Sequence, residues 1–179
     1  MRTPRLALPI EALTAASFQP FGDVIEASPS RRHFSINDGF AERYHDLARV
    51  ELGAQGRAII SIFKALPRTL PMQLRLLERH PLGSQAFMPL SALPFLVVVA
   101  EAGEVDAGPQ LTGIRCFQAA AGQGINYARG TWHHPLIALH QACDFLVIDR
   151  GGAPNEANCD EYPLDGTAIW IGGEPERQK

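Results

Sequence analysis

Proline and glycine decide what this chain can build. Its 179 residues include fourteen prolines and sixteen glycines, scattered from end to end. Proline removes a backbone donor and breaks helices, and glycine marks turns. Few stretches are long enough for a stable helix, but many suit a strand of about four to eight residues. RAIISIFKA (57–65), SQAFMPL (84–90), PFLVVVAEA (94–102), IRCFQA (114–119), INYA (125–128), WHHPLIAL (132–139) and CDFLVIDR (143–150) are β-branched or aromatic and read as strands. DVIEA (23–27), EYPL (161–164) and AIWIG (168–172) complete the set. One short helix is expected near the start, where Thr14 can cap AASF before Pro20 and Gly22 end it. Residues 28–58 read as polar and irregular, and 102–113 and 151–160 as loops. MQLRLLERH (72–80) has two readings. Its Leu, Met, Gln and Glu favour a helix, whereas Pro71, Pro81 and the alternation of Leu74, Leu76, Glu78 and His80 favour a strand. The expectation is an all-β sandwich or barrel, with residues 1–179 as a single domain.

Composition narrows the function. Sixteen basic against nineteen acidic side chains give a net charge of −3. A nucleic-acid or anionic-membrane partner needs a basic surface, so neither is expected. The longest apolar run, LPFLVVVA (93–100), is too short to span a bilayer. Cys116, Cys143 and Cys159 are odd in number and far apart, which suits free thiols in a reducing cytoplasm.

Three stretches carry chemistry. In LLERHPLGSQAF (76–87), a strand reading puts Glu78 and His80 on one face, and the Pro81-Leu82-Gly83 turn brings Gln85 back towards them. An acid, an imidazole and an amide can move protons, clamp a polar substrate or ligate a divalent metal. In GQGINYARGTWHHPL (122–136), glycine turns precede adjacent histidines, His133 and His134, which on a strand must face opposite sides. In ISIFKALP (60–67), Lys64 follows Ile60 and Ile62 on the even face. It sits either at a barrel rim or inward, where it can bind a carboxylate.

The first two stretches resemble the paired motifs of the cupin superfamily. Glu78-x-His80-x4-Gln85 occupies the slots of H-x-H…E, and Gly130-x2-His133 those of G-x2-H. ISIFKALP, ERHPLGSQAFMPL, FLVVVA, GQGINYARGTWHHPL and DFLVIDR, in this order, resemble the ureidoglycolate lyase family, as does the opening LT-x3-F-x-PFGDVIE. The resemblance implies a double-stranded β-helix of cupin type, usually a homodimer, that cleaves (S)-ureidoglycolate to glyoxylate and urea in allantoin breakdown. It implies His133 facing the barrel interior with Glu78, His80 and Gln85, and His134 turned into packing or an interface. It also implies a divalent metal, nickel in some members, on Glu78, His80, Gln85 and His133, and no organic cofactor. Ala128 stands where the family often has His.

The implied reaction needs a base at the substrate hydroxyl, an acid at the ureido nitrogen and an anchor for the carboxylate. Glu78 or His80 is the candidate base, and His133 or a metal-bound water the candidate acid. Lys64 is the carboxylate anchor, and Gln85 with Ser84 the ureido contact. Three rivals remain: a metal-dependent cupin dioxygenase or isomerase, a non-catalytic cupin binding a small acid, and an amidohydrolase releasing ammonia.

Overall fold

The computed structural model describes residues 5–101 and 108–173. Its elements are β1 (Arg5–Leu8), β2 (Ile10–Ala12), α1 (Ala15–Phe18), β3 (Gly22–Ile25), β4 (His33–Ile36), β5 (Ala41–Tyr44), β6 (Arg57–Ala65), β7 (Met72–Gln73) and β8 (Leu76–Arg79). There follow β9 (Gln85–Pro89), β10 (Phe95–Ala100), β11 (Arg115–Ala119), β12 (Gly124–Tyr127), β13 (Trp132–His133) and β14 (Ile137–Ala138). Last come β15 (Cys143–Gly151), β16 (Asp160–Pro163) and β17 (Ala168–Ile171).

Two sheets face each other. One has the order β16-β8-β13-β10-β11-β2, with β14 also on β10; the other has the order β3-β12-β9-β15-β6. A three-stranded sheet, β1-β17-β7, is hydrogen-bonded to neither and packs on the outer face of the first. The run FLVVVA of β10 shows why the layers form. Phe95, Val97 and Val99 belong to the core between the facing sheets, with Phe87, Phe117 and Phe145. Leu96, Val98 and Ala100 belong to a second core, shared with Leu8, Ile169 and Ile171 of the third sheet. A strand covered on both faces carries no polar alternation, which is what this run displays. The chain is nearly all-β, with two facing sheets around one core and one short helix, as the resemblance implied.

Aromatic rings fill the barrel core. Phe95 meets Phe145 edge-on at 5.0 Å, and Phe18 meets Phe117 edge-on at 5.8 Å. Phe18 arrives there on α1, whose cap forms as expected: Thr14 Oγ1 accepts from the Ser17 N–H at 3.1 Å.

Within residues 72–80 the structure decides for strand, in the two pieces β7 and β8, with His80 just past the second. WHHPLIAL divides into β13 and β14, which pair with opposite ends of β10. Pro135 between them has no N–H to continue the ladder. Two expectations are corrected. Residues 28–58 hold an ordered hairpin, β4 and β5, turned by Asn37, Asp38 and Gly39 at φ 52°, 55° and 91°. Residues 5–12, which carried no strand expectation, form β1 and β2, each in parallel pairing with a distant strand. Residues 102–107 of the expected loop lie outside the described residues, and 111–113 form a 3₁₀ turn.

Candidate functional site

Strand register decides which histidine enters the barrel. His133 pairs with Val99, and Val99 belongs to the inner core, so the two share the interior face. Trp132 pairs with Ala100 and belongs to the outer core. On its other side His133 pairs with Glu78. Leu77 is in the outer core, so Glu78 points inward. Gln85 pairs with Tyr127, another inner-core residue. Phe145 and Val147 face inward on β15, and Asp149 continues their face. The strand ladder thus brings Glu78, Gln85, Tyr127, His133 and Asp149 into one interior. His80, just past the end of β8, joins them.

The contacts among these groups are short. Glu78 Oε1 lies 3.4 Å from His133 Nε2, and the His80 and His133 rings are 5.4 Å apart. His133 Nδ1 faces the Thr131 carbonyl at 2.9 Å. His80 Nδ1 faces the Asn158 carbonyl at 2.6 Å, and its Nε2 faces Gln85 Oε1 at 3.1 Å. The Asn158 side chain also accepts from the Leu82 N–H, which fixes the turn between His80 and Gln85. A second tie joins the two motifs: the Gly130 N–H donates to the His80 carbonyl at 2.9 Å. Gly130 makes this approach from a turn at φ 82°, a conformation that favours glycine.

Charge in the site follows from this packing. Burial works against an ionised Glu78, but the close approach of His133 and the fields of His133, His80 and His134 outweigh it, so its carboxyl is held below the ordinary value. Tyr127 stacks flat on His133, with ring centroids 4.0 Å apart. Its burial, helped by the Glu78 charge, pushes the phenol far above its ordinary value, so it remains an O–H donor.

A cavity of about 220 Å³ opens beside this cluster, lined among others by Glu78, Gln85, Phe63, Lys64 and Pro135. Lys64 borders it from outside. Its side chain is 80% exposed and lies 3.4 Å from Asp144. Phe63 takes the inward position on β6, edge-on to Phe87. Ser84 is committed elsewhere, because its hydroxyl accepts from the Glu51 N–H at 2.8 Å. His134 is buried with Nδ1 on the Pro135 carbonyl. Burial, ahead of the other influences, lowers its pKa. Two interior residues, Tyr127 and Asp149, were given no role from sequence. Their signal was there: odd-numbered positions of the INYA and DFLVIDR strands share the face of Phe145 and Ile125.

The cluster suits a metal ion. One ligand atom from each of Glu78, His80 and His133 lies within 4.8 Å of the others. His133 Nε2 is buried and lacks a well-formed hydrogen bond, while its Nδ1 is anchored on a carbonyl. His80 Nδ1 is anchored in the same way. Imidazoles that ligate metals are typically fixed like this, with the far N–H on a backbone carbonyl. Glu78, His80 and His133 fit a divalent ion, and Gln85 Oε1 borders the same space.

Comparison with known proteins gives a consistent result. The family model described as ureidoglycolate lyase matches residues 5–171. A ureidoglycolate lyase of Burkholderia mallei is 48% identical over 165 residues, covering 92% of this chain and 92% of that one. One of Burkholderia cepacia is 50% identical over 160 residues, with 88% and 86% covered. One of Brucella melitensis is 53% identical over 156 residues, with 87% and 88% covered. Among solved structures, a dTDP sugar isomerase from Desulfovibrio desulfuricans G20 aligns over 82% of this chain and 87% of that one, with a TM-score of 0.47 and 13% identity.

Proposed function

This chain belongs to the ureidoglycolate lyase family, and from that premise we propose that it eliminates urea from (S)-ureidoglycolate to leave glyoxylate, as a step of allantoin breakdown. The observation that carries the chemistry is the 3.4 Å approach of Glu78 to His133 at the edge of a small cavity. The substrate holds a hydroxyl and a ureido nitrogen on one carbon. When the hydroxyl gives up its proton, its electrons form the aldehyde C=O and the C–N bond breaks towards nitrogen. That nitrogen takes up a proton and leaves as urea. No water is consumed and no electron changes hands.

Glu78, held anionic, is the base for the hydroxyl. His133 is placed to protonate the departing nitrogen. Their contact lets the proton gained by Glu78 return to His133, so the pair resets after each turnover. His80 holds Gln85 against the cluster, and the Tyr127 O–H supplies a further donor. In a metal-loaded form, Glu78, His80, Gln85 and His133 would instead hold nickel, which would take up the lone pairs of Glu78 and His133 and supply Lewis acidity to the substrate oxygen in place of their proton transfer. A linked assay for glyoxylate tests the reading. Steady turnover of ureidoglycolate is expected, and its absence would remove the proposal.

Lys64 is proposed to hold the substrate carboxylate at the cavity rim. An exposed ammonium already near Asp144 gives modest binding, of order 1 kcal/mol or less. Lys64→Ala is therefore expected to raise KM a few-fold while kcat stays close to wild type, as read by steady-state kinetics.

A homodimer is part of the same proposal. Among the described residues β6 pairs along one edge only, with β15. Its outer face shows Ile60 at 71% and Ile62 at 52% exposure, an uncovered apolar edge that a lone barrel would avoid. A second copy can cover it by two-fold strand pairing. Sedimentation should give a dimer, with Ile60→Glu/Ile62→Glu shifted to monomer. Three free cysteines agree with a cytoplasmic setting.

A further inference from the structure

Asp149 lies on the interior face of β15, two residues beyond Val147 of the barrel core. Its Oδ2 accepts from the Gln85 side-chain N–H at 3.4 Å. Its Oδ1 is buried and has no hydrogen-bond partner among the described residues. A carboxylate in such a place costs free energy that packing alone does not explain. Its one polar partner among the described residues is the Gln85 amide, and that partner is the informative one.

An amide has two chemically opposite ends of nearly equal size. Either end of Gln85 fits the space, so sterics alone do not choose between them. A carboxylate behind it accepts and does not donate, which draws the NH₂ end to Asp149. The carbonyl Oε1 is then delivered to His80 Nε2, where it is found. A line of contacts therefore runs from Asp149 through Gln85 and His80 to the Asn158 carbonyl, and links β9, β15 and the end of β8.

We propose that Asp149 is a positioning residue that fixes the Gln85 amide so that an oxygen, not an NH₂, faces the Glu78, His80 and His133 cluster. This rests on the function proposed above for its consequence in turnover, but not for the contact itself. With the amide reversed, an N–H would point at any cation in the cluster, where only an oxygen can serve as a ligand.

The test is a double-mutant cycle of Asp149→Asn and Gln85→Glu, read as kcat and KM and as Tm without substrate. Asp149→Asn keeps the shape but can present either end to Gln85, so the amide loses its orientation. Its kcat should fall about 10–100-fold, as for residues that orient a site from behind, with KM nearly unchanged. Gln85→Glu alone sets two carboxylates face to face and should lower both kcat and Tm. The double variant restores an N–H at position 149 opposite a carboxylate at 85, which again offers oxygen to His80. It should recover Tm relative to Gln85→Glu and kcat relative to both single variants. Wild-type kcat in Asp149→Asn, a double variant no better than the worse single one, or strictly additive Tm changes would each overturn the proposal. If the wild type forms no glyoxylate, the proposed function fails, and the Tm cycle still decides the Asp149–Gln85 contact.

Discussion

Glu78→Gln leaves the barrel folded and cuts kcat for ureidoglycolate by about 10²–10⁴-fold, the usual contribution of one positioned proton transfer. The substitution keeps size and reach. It removes the charge and the ability to take the hydroxyl proton, so KM should change much less than kcat. The same variant has a signature in stability. In the native protein the Glu78 carboxyl sits below its ordinary value. The folded state therefore binds this proton less readily than the unfolded chain. The stabilisation is fully present above the unfolded value near pH 4.3 and is lost as pH falls through the lower folded value. Wild-type Tm should drop across that acidic window more steeply than Tm of Glu78→Gln, as read by calorimetry from pH 3 to 7. Equal slopes would show that the carboxylate gains nothing from its histidine neighbours.

His133→Ala carries the second large effect. The imidazole is 2% exposed, stacked on Tyr127 and pointed at Glu78. Removing it deletes the proposed acid and opens a void beside a buried phenol. Turnover should fall about 10²–10⁴-fold. Stability should fall as well, by about 2–4 kcal/mol, because an aromatic-sized group is truncated inside a packed core. The two losses are separable. Thermal unfolding gives the packing cost, and kcat measured well below Tm gives the chemistry. Added imidazole that fits the void and restores part of kcat would tie the loss to the missing acid. Near-normal kcat would end the assignment of His133.

Much of the barrel could be read from residues alone, because burial imposes a period. CDFLVIDR alternates Phe145 and Val147 inward, and FLVVVA lacks alternation because both its faces are covered. The unread strands lack such a signal. RLAL and IEA are short, lie around Pro9 and pair in parallel with residues over a hundred positions away, so nothing local announces them. HFSI and AERY are largely exposed, and only the Asn37-Asp38-Gly39 turn between them was a readable hairpin mark.

The site divides along the same line. Glu78, His80, Gln85 and His133 were legible because they occupy two compact motifs, and the structure brings all four together. Lys64 sits on the even face with Ile60 and Ile62, and that face turned out to be the outer one. Asp149 ends an apolar strand next to Arg150, which looks like a solvated strand terminus until β9 is laid beside it. Asn158 comes from a loop, where no periodicity applies.

Racemic ureidoglycolate incubated with the wild-type protein, with urea, ammonia and glyoxylate followed in one reaction, tests elimination against hydrolysis. Urea and glyoxylate should rise together in equal amounts, with one enantiomer left over and no ammonia formed. Ammonia rising in step with glyoxylate would contradict the account, because it would mean that water attacks the ureido carbonyl and that the Glu78–His133 pair does not cleave the C–N bond at the hydroxyl-bearing carbon.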